Sequence, residues 1–158
     1  PEYIPGCEKG AKAACEKGVL AGYPLSGVRV CVVDGQSHAV DSSDLAFQIA
    51  MQYGIREGVK NASPSILQPI MNLEVNVPAD FQGAIIGGIN KRNGVIQSSD
   101  ISDDGTSACI KADVPLKDMF GYSTEIRSST QGKGEFTMEF KHYAEAPRNV
   151  AEAIMNKK

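Results

Sequence analysis

The side chains able to do chemistry are few and scattered. His38 stands in the loop Asp34-Gly-Gln-Ser-His-Ala-Val40, close in sequence to Asp34 and Asp41, either of which could orient an imidazole as a general base. No activated nucleophile stands beside them, so the plainer reading of the pattern is an exposed loop histidine. The same small, polar loop has a second use, because an imidazole can stack on a base or donate to a phosphate. Gly132-Lys-Gly134 and the stretch from Gly83 to Gly94 are glycine-rich, yet neither has the G-x-x-x-x-G-K-[S/T] frame of a phosphate cradle. Lys91-Arg92 closes a predicted helix, where two cations either complement the helix dipole or meet an RNA phosphate. Arg127, among Ser123, Thr124, Ser128 and Thr130, lies on a polar helix face and has the same two options: pairing with Glu125 or Asp118, or contact with RNA. The four cysteines (Cys7, Cys15, Cys31, Cys109) form no C-x-x-C pair and the two histidines are far apart, so no metal-ligand spacing is present. Free thiols fit a reducing compartment.

The elements that must position these residues are legible from periodicity. Residues 5–17 read as a helix with Pro5 in its first turn, Cys7, Ala11, Ala14 and Cys15 on one side, and Gly18 after its end. Val28 to Val33 reads as a β-rich run, followed by an Asp34-Gly35 turn. Ser42 or Ser43 can cap a helix running to about Lys60, with Leu45, Ala46, Ile49, Ala50 and Tyr53 as its apolar stripe. Asn61-Ala-Ser-Pro64 is a break and a domain boundary. Beyond it, Met71 to Val77 alternates apolar and polar without exception, as a strand with one buried face does. Pro78 opens a helix with Phe81, Ile85 and Ile89 four residues apart. Strands follow from Asn93-Gly94 and from Ala108 to Val114 across a Ser102–Gly105 turn. A helix from Met119 to Thr130, a turn at Gly132–Gly134 and a last strand carrying Phe136, Met138 and Phe140 as core residues complete the order. From Leu67 to Tyr143 this is β-α-β-β-α-β, the ferredoxin-like topology of an α+β sandwich. A short helix from Pro147 to Met155 closes the chain. The first part has one predicted strand, which cannot pair with itself, so residues 1–60 are expected to lack strands that lie upstream.

Composition excludes several classes. A chain of 158 residues with 42% hydrophobic residues and no long apolar run is a soluble globular chain with no membrane span. It starts at Pro1, which fits a fragment or processed product. The net charge of −3 divides as −1 over residues 1–65, −4 over 66–145 and +2 over 146–158, so no broad basic field exists and any RNA contact is local and shape-driven.

One segment is too long and ordered for coincidence: VPL-x-x-MFGY-x-T-x-x-RS-x-T-x-G-x-G, from Val114 through Gly134. With PEYIP-x-x-EKG at the start, DG-x-x-H-x-VDSS-x-x-AF around His38, L-x-PIM-x-x-EV-x-x-P from Leu67 and the closing HYAEAPRNVAEAI, the chain resembles translation elongation factor G over nearly its whole length. The resemblance implies three parts: the C-terminal part of domain IV over 1–63, a partial α/β domain like that of ribosomal protein S5; the ferredoxin-like domain V over 67–145; and a C-terminal helix over 146–158. It also implies a ribosome-binding arm whose tip is Gly35, Gln36, Ser37 and His38. That arm enters the decoding region during GTP-dependent translocation and blocks return of the tRNA. Candidate large-subunit rRNA contacts are Lys91, Arg92, Arg127 and Ser128. Expected partners are both ribosomal RNAs and the tRNA–mRNA pair, for a monomer without membrane contact.

No enzymatic activity is expected of this stretch itself, and no cofactor; GTP and Mg belong to a GTPase domain elsewhere in such a factor. The compartment is a bacterial cytoplasm or a mitochondrial matrix, with phrases such as FQGAIIGGINKRNGVI leaning to the latter. Competing readings are a recycling or ribosome-protection GTPase of the same superfamily and, from another class, a stand-alone ferredoxin-like module that binds a small metabolite. The last predicts ligand-induced stabilisation without ribosome binding.

Overall fold

The computed structural model describes residues 1–157. The chain divides into two compact units, residues 1–66 together with 147–158, and residues 67–146.

The first unit is built on two helices, α1 (Ile4–Glu16) and α2 (Asp44–Asn61). Pro5 sits in the opening turn of α1, where its missing N–H costs nothing, and Cys7 and Ala14 are buried. Gly6 and Gly10, one turn apart, set the approach of the two helices. A Cβ on Gly6 would lie 2.6 Å from Asp44 Oδ1, and one on Gly10 would overlap the backbone of Gln48. Tyr3 and Phe47 stack nearly parallel at 4.4 Å between ring centres and close the same junction. Two expectations fail here. Val28–Val33 forms no ladder, and the chain from 28 to 38 is irregular and exposed, with Val33 at 94%. Backbone in strand conformation needs a neighbour to accept its hydrogen bonds, and among the described residues this unit contains no strand. Likewise the α2 stripe is not a buried face: Leu45, Ile49 and Tyr53 are exposed, and the buried residue is Ile55. Periodicity tells which face is apolar, whereas burial depends on what the fold brings against it.

The second unit is a four-stranded sheet carrying two helices. In chain order it comprises β1 (Leu67–Pro78), a 3-10 turn (Ala79–Phe81), α3 (Gln82–Lys91), β2 (Val95–Ile101), β3 (Ser107–Pro115), a second 3-10 turn (Leu116–Asp118), α4 (Tyr122–Ser129) and β4 (Glu135–Glu145). The sheet order is β2-β3-β1-β4 and every pairing is antiparallel, the ferredoxin-like arrangement expected from the element order. Leu73 lies opposite Ala112 and Met138, and Val75 opposite Ile110 and Phe136. These residues meet Ile85 and Ile89 of α3 and Tyr122 and Ile126 of α4 in one core. The helix expected from Met119 starts at Tyr122, because Gly121 takes a left-handed conformation (φ +79°) that a helix cannot continue through.

The last strand departs from expectation at one position. Phe136 and Met138 pack against the core, but Phe140 is 55% exposed and rests on Tyr143. β4 is an edge strand, so its inward side chains have a neighbouring strand on one side only. Between Ile70–His142 and Met71–Phe140 the register slips by one, which makes Lys141 a bulge residue; its ammonium reaches Asp113 of β3 at 2.8 Å. The final helix, α5 (Arg148–Met155), follows Pro147 and groups with the first unit.

Candidate functional site

The predicted tip residues are held by their own main chain. Asp34 Oδ1 accepts the N–H of the next residue, Gly35, at 2.8 Å at the start of the loop. The His38 N–H donates to Ser42 Oγ at 2.7 Å, and the Ser42 N–H donates back to the His38 carbonyl at 3.1 Å. Ser43 then caps α2, its Oγ accepting from the Ala46 N–H at 3.0 Å. The two serines therefore divide the work: Ser43 caps the helix, and Ser42 closes the loop in front of it. The consequence is a fixed backbone at His38 with a free side chain. Gly35, Gln36, Ser37 and His38 are all exposed. Among the described residues no carboxylate accepts a bond from the imidazole, so Asp34 and Asp41 do not orient it as a base. Gly35, Gln36 and Ser37 also border an open groove on α1 and α2, with Tyr3, Phe47 and Met51.

In the sheet unit, the four remaining candidates separate into two kinds. Lys91 and Arg127 are exposed, with no carboxylate partner among the described residues. Arg127 borders a shallow depression with Asn76, Ser123, Gly134, Glu135 and Thr137, and Ser128 beside it is exposed, its Oγ donating to the Glu125 carbonyl at 3.0 Å. Arg92 is different. Its Nε donates to Glu125 at 2.7 Å and its Nη2 completes the ion pair; its Nη1 donates to the carbonyls of Asp118 at 2.5 Å and Phe120 at 3.2 Å. The guanidinium lies over the Tyr122 ring, 5.3 Å from its centre. With its side chain only 19% exposed and Nε, Nη1 and one N–H of Nη2 all engaged within the unit, Arg92 is committed to internal partners. Arg92 thus serves as a tether inside the unit, and the carboxylates offered to Arg127 pair instead with Arg92 (Glu125) and Lys117 (Asp118, 2.9 Å). The topology itself held the clue. It lays α3 and α4 on the same sheet face, so a cation ending one helix can meet acids starting the other.

Buried polar groups escaped the sequence reading, Gln68, Thr130 and the Tyr122 hydroxyl among them. Thr130 is fully buried; its Oγ1 donates to the Ile126 carbonyl at 2.5 Å and accepts from the Gly134 N–H at 2.9 Å, fastening the Gln131–Gly134 turn to the end of α4. The Tyr122 hydroxyl is buried with no partner among the described residues. Burial pushes its pKa up to about 12; the nearby Glu125 charge adds to this and Arg92 opposes it. The described residues offer no cluster of three or more His, Cys, Asp or Glu that could hold a metal ion, no phosphate-binding loop, and no helix long and apolar enough to cross a membrane.

A four-stranded antiparallel sheet carrying two helices, preceded by a helical unit with an exposed loop, defines a module of the α+β class. Residues 1–63 match the family model of elongation factor G, domain IV, and residues 65–154 match that of the elongation factor G C-terminus. The chain belongs to the elongation factor G family of translation factors and comprises those two regions of it. A crystal structure of a protein from Thermus thermophilus is similar over 99% of this chain, at 37% identity and a TM-score of 0.89. The chain corresponds to 23% of the length of that protein.

Proposed function

We propose that this stretch is the ribosome-engaging end of a GTP-driven translocase. The loop at Gly35–His38 enters the decoding region and obstructs the return of tRNA and mRNA after they advance. The observation that carries this reading is the construction of the loop: main chain clamped at His38 by Ser42, side chain exposed, helix α2 capped immediately behind it. A contact device that works by occupying space needs a rigid backbone and an outward side chain, and needs no pKa tuning. The sheet unit meets large-subunit rRNA through Arg127, Ser128 and Lys91, with Arg92 excluded from that surface by its internal bonds. GTP hydrolysis and its magnesium ion belong to another domain of the full-length factor, which acts as a monomer without membrane contact, in a mitochondrial matrix or a bacterial cytoplasm. The absence of a broad basic face makes shape, rather than electrostatic capture, the basis of RNA contact.

The test is His38→Ala in the full-length factor, measuring ribosome co-sedimentation, GTP hydrolysis and translocation rate. The expected outcome is retained binding and hydrolysis, with translocation slowed at least about tenfold, a barrier change of about 1.4 kcal/mol. An unchanged translocation rate would make His38 an ordinary loop residue and overturn the tip assignment.

A further inference from the structure

We infer that Arg92 is a positioning residue for the RNA contact of α4, and that it touches no RNA itself; this rests on the reading of Arg127 and Ser128 as rRNA contacts. α4 has eight residues, and both of its ends are fastened by buried or half-buried polar groups. At the far end, Thr130 bonds Ile126 and Gly134. At the near end all three nitrogens of the Arg92 fork are engaged. One edge pairs with Glu125 in the first turn, and Nη1 gathers the carbonyls of Asp118 and Phe120 from the loop that leads into the helix. Asn93, next in sequence, adds a 3.3 Å bond to Asp118 Oδ2. Arg127 and Ser128 lie two and three residues beyond Glu125 on this short helix, and Ser128 is bonded back to the Glu125 carbonyl. Rotation or lift of α4 about its core residue Ile126 would carry Arg127 and Ser128 with it, and Arg92 is the group that resists this movement. A lysine cannot replace it, since one ammonium does not reproduce a planar fork serving a carboxylate and two carbonyls at once.

The experiment is a double-mutant cycle on ribosome affinity with the full-length factor: Arg92→Gln, Arg127→Ala and the double variant, each across a salt series. Arg127→Ala should weaken binding about tenfold and reduce the salt slope by about one. Arg92→Gln should weaken binding several-fold with the slope unchanged, and should cost clearly less in the Arg127→Ala background, where only the Ser128 contact is left to misplace. Arg92→Lys should behave like Arg92→Gln despite keeping the charge, and it runs the same cycle if the glutamine variant fails to fold. Additive costs, with or without a slope change for Arg92→Gln, would overturn the positioning role while leaving the Arg127 contact standing. So would an Arg92→Gln protein with wild-type affinity. If Arg127→Ala alone binds normally, the rRNA-contact reading falls, and the positioning role falls with it.

Discussion

Single side chains in this protein are informative where a polar group is either over-bonded or not bonded at all. Tyr122 is the second kind: a buried hydroxyl without a partner among the described residues. An unpaired buried donor carries a desolvation cost with no return, so Tyr122→Phe should leave thermal stability unchanged or raise it, by up to about 1 kcal/mol, as read by calorimetry. A clear loss would mean that the hydroxyl has a partner after all. Asp104 is the first kind. Its Oδ1 accepts from the Ser102 hydroxyl at 2.5 Å, the Thr106 hydroxyl at 2.8 Å and the Thr106 N–H at 3.0 Å, which holds the carboxyl down at about 2. Because the folded value lies below the ordinary 3.8, the hairpin gains stability from the ionised form above that pH and loses it as pH falls through about 2. A carboxyl NMR titration should find this midpoint, and Asp104→Asn should remove the acid-dependent step in amide exchange at Thr106. Sequence could name Asp103-Asp104-Gly105 as a turn, but not which aspartate would collect the hydroxyls. It could name Arg92 and Arg127 as exposed-type cations on two helices, but not which of them would reach Glu125. Those choices depend on distances set by packing.

At the level of helices and strands, whatever repeats locally was legible. The unbroken alternation of Met71–Val77 and the four-residue spacing of Phe81, Ile85 and Ile89 announced β1 and α3, and from these the βαββαβ order followed. What required a remote partner was not legible. Val28–Val33 has strand composition and no strand beside it, and Leu45, Ile49 and Tyr53 of α2 are apolar residues left exposed. The closeness of α1 and α2 was also missed, although Gly6 and Gly10 one turn apart were a signal for it. Gly10→Ala should push α2 away, since the new Cβ overlaps the Gln48 backbone. Loss of about 1–3 kcal/mol, seen as a lower melting temperature for the first unit, is the expected result. Thr130→Val should leave the Gly134 N–H without its acceptor and cost about 1–3 kcal/mol, while Thr130→Ser should recover most of it. Equal stability of the valine and serine variants would show that the latch contributes nothing.

For the whole molecule, the two units differ in self-sufficiency. The sheet unit has a continuous core from four strands and two helices, whereas the first unit leaves Val28, Val30, Val32, Val33 and Leu45 exposed. Residues 67–146 produced alone should therefore melt cooperatively, and residues 1–66 alone should not. The connection between them follows from one pairing described above. The chain enters the sheet unit at Leu67 and leaves it at Glu145, and these two residues are partners across the β1–β4 ladder. The sheet unit is thus an insertion with entrance and exit side by side, of the kind that domain grafting tolerates. A tug on the first unit that moves residues 66 and 147 together carries the sheet as one body and strains none of its rungs. A tug that separates them opens the β1–β4 ladder from its end, rung by rung, like a zipper. The same unit is stiff in transport and weak in peeling, and the difference is set by where two strand ends meet.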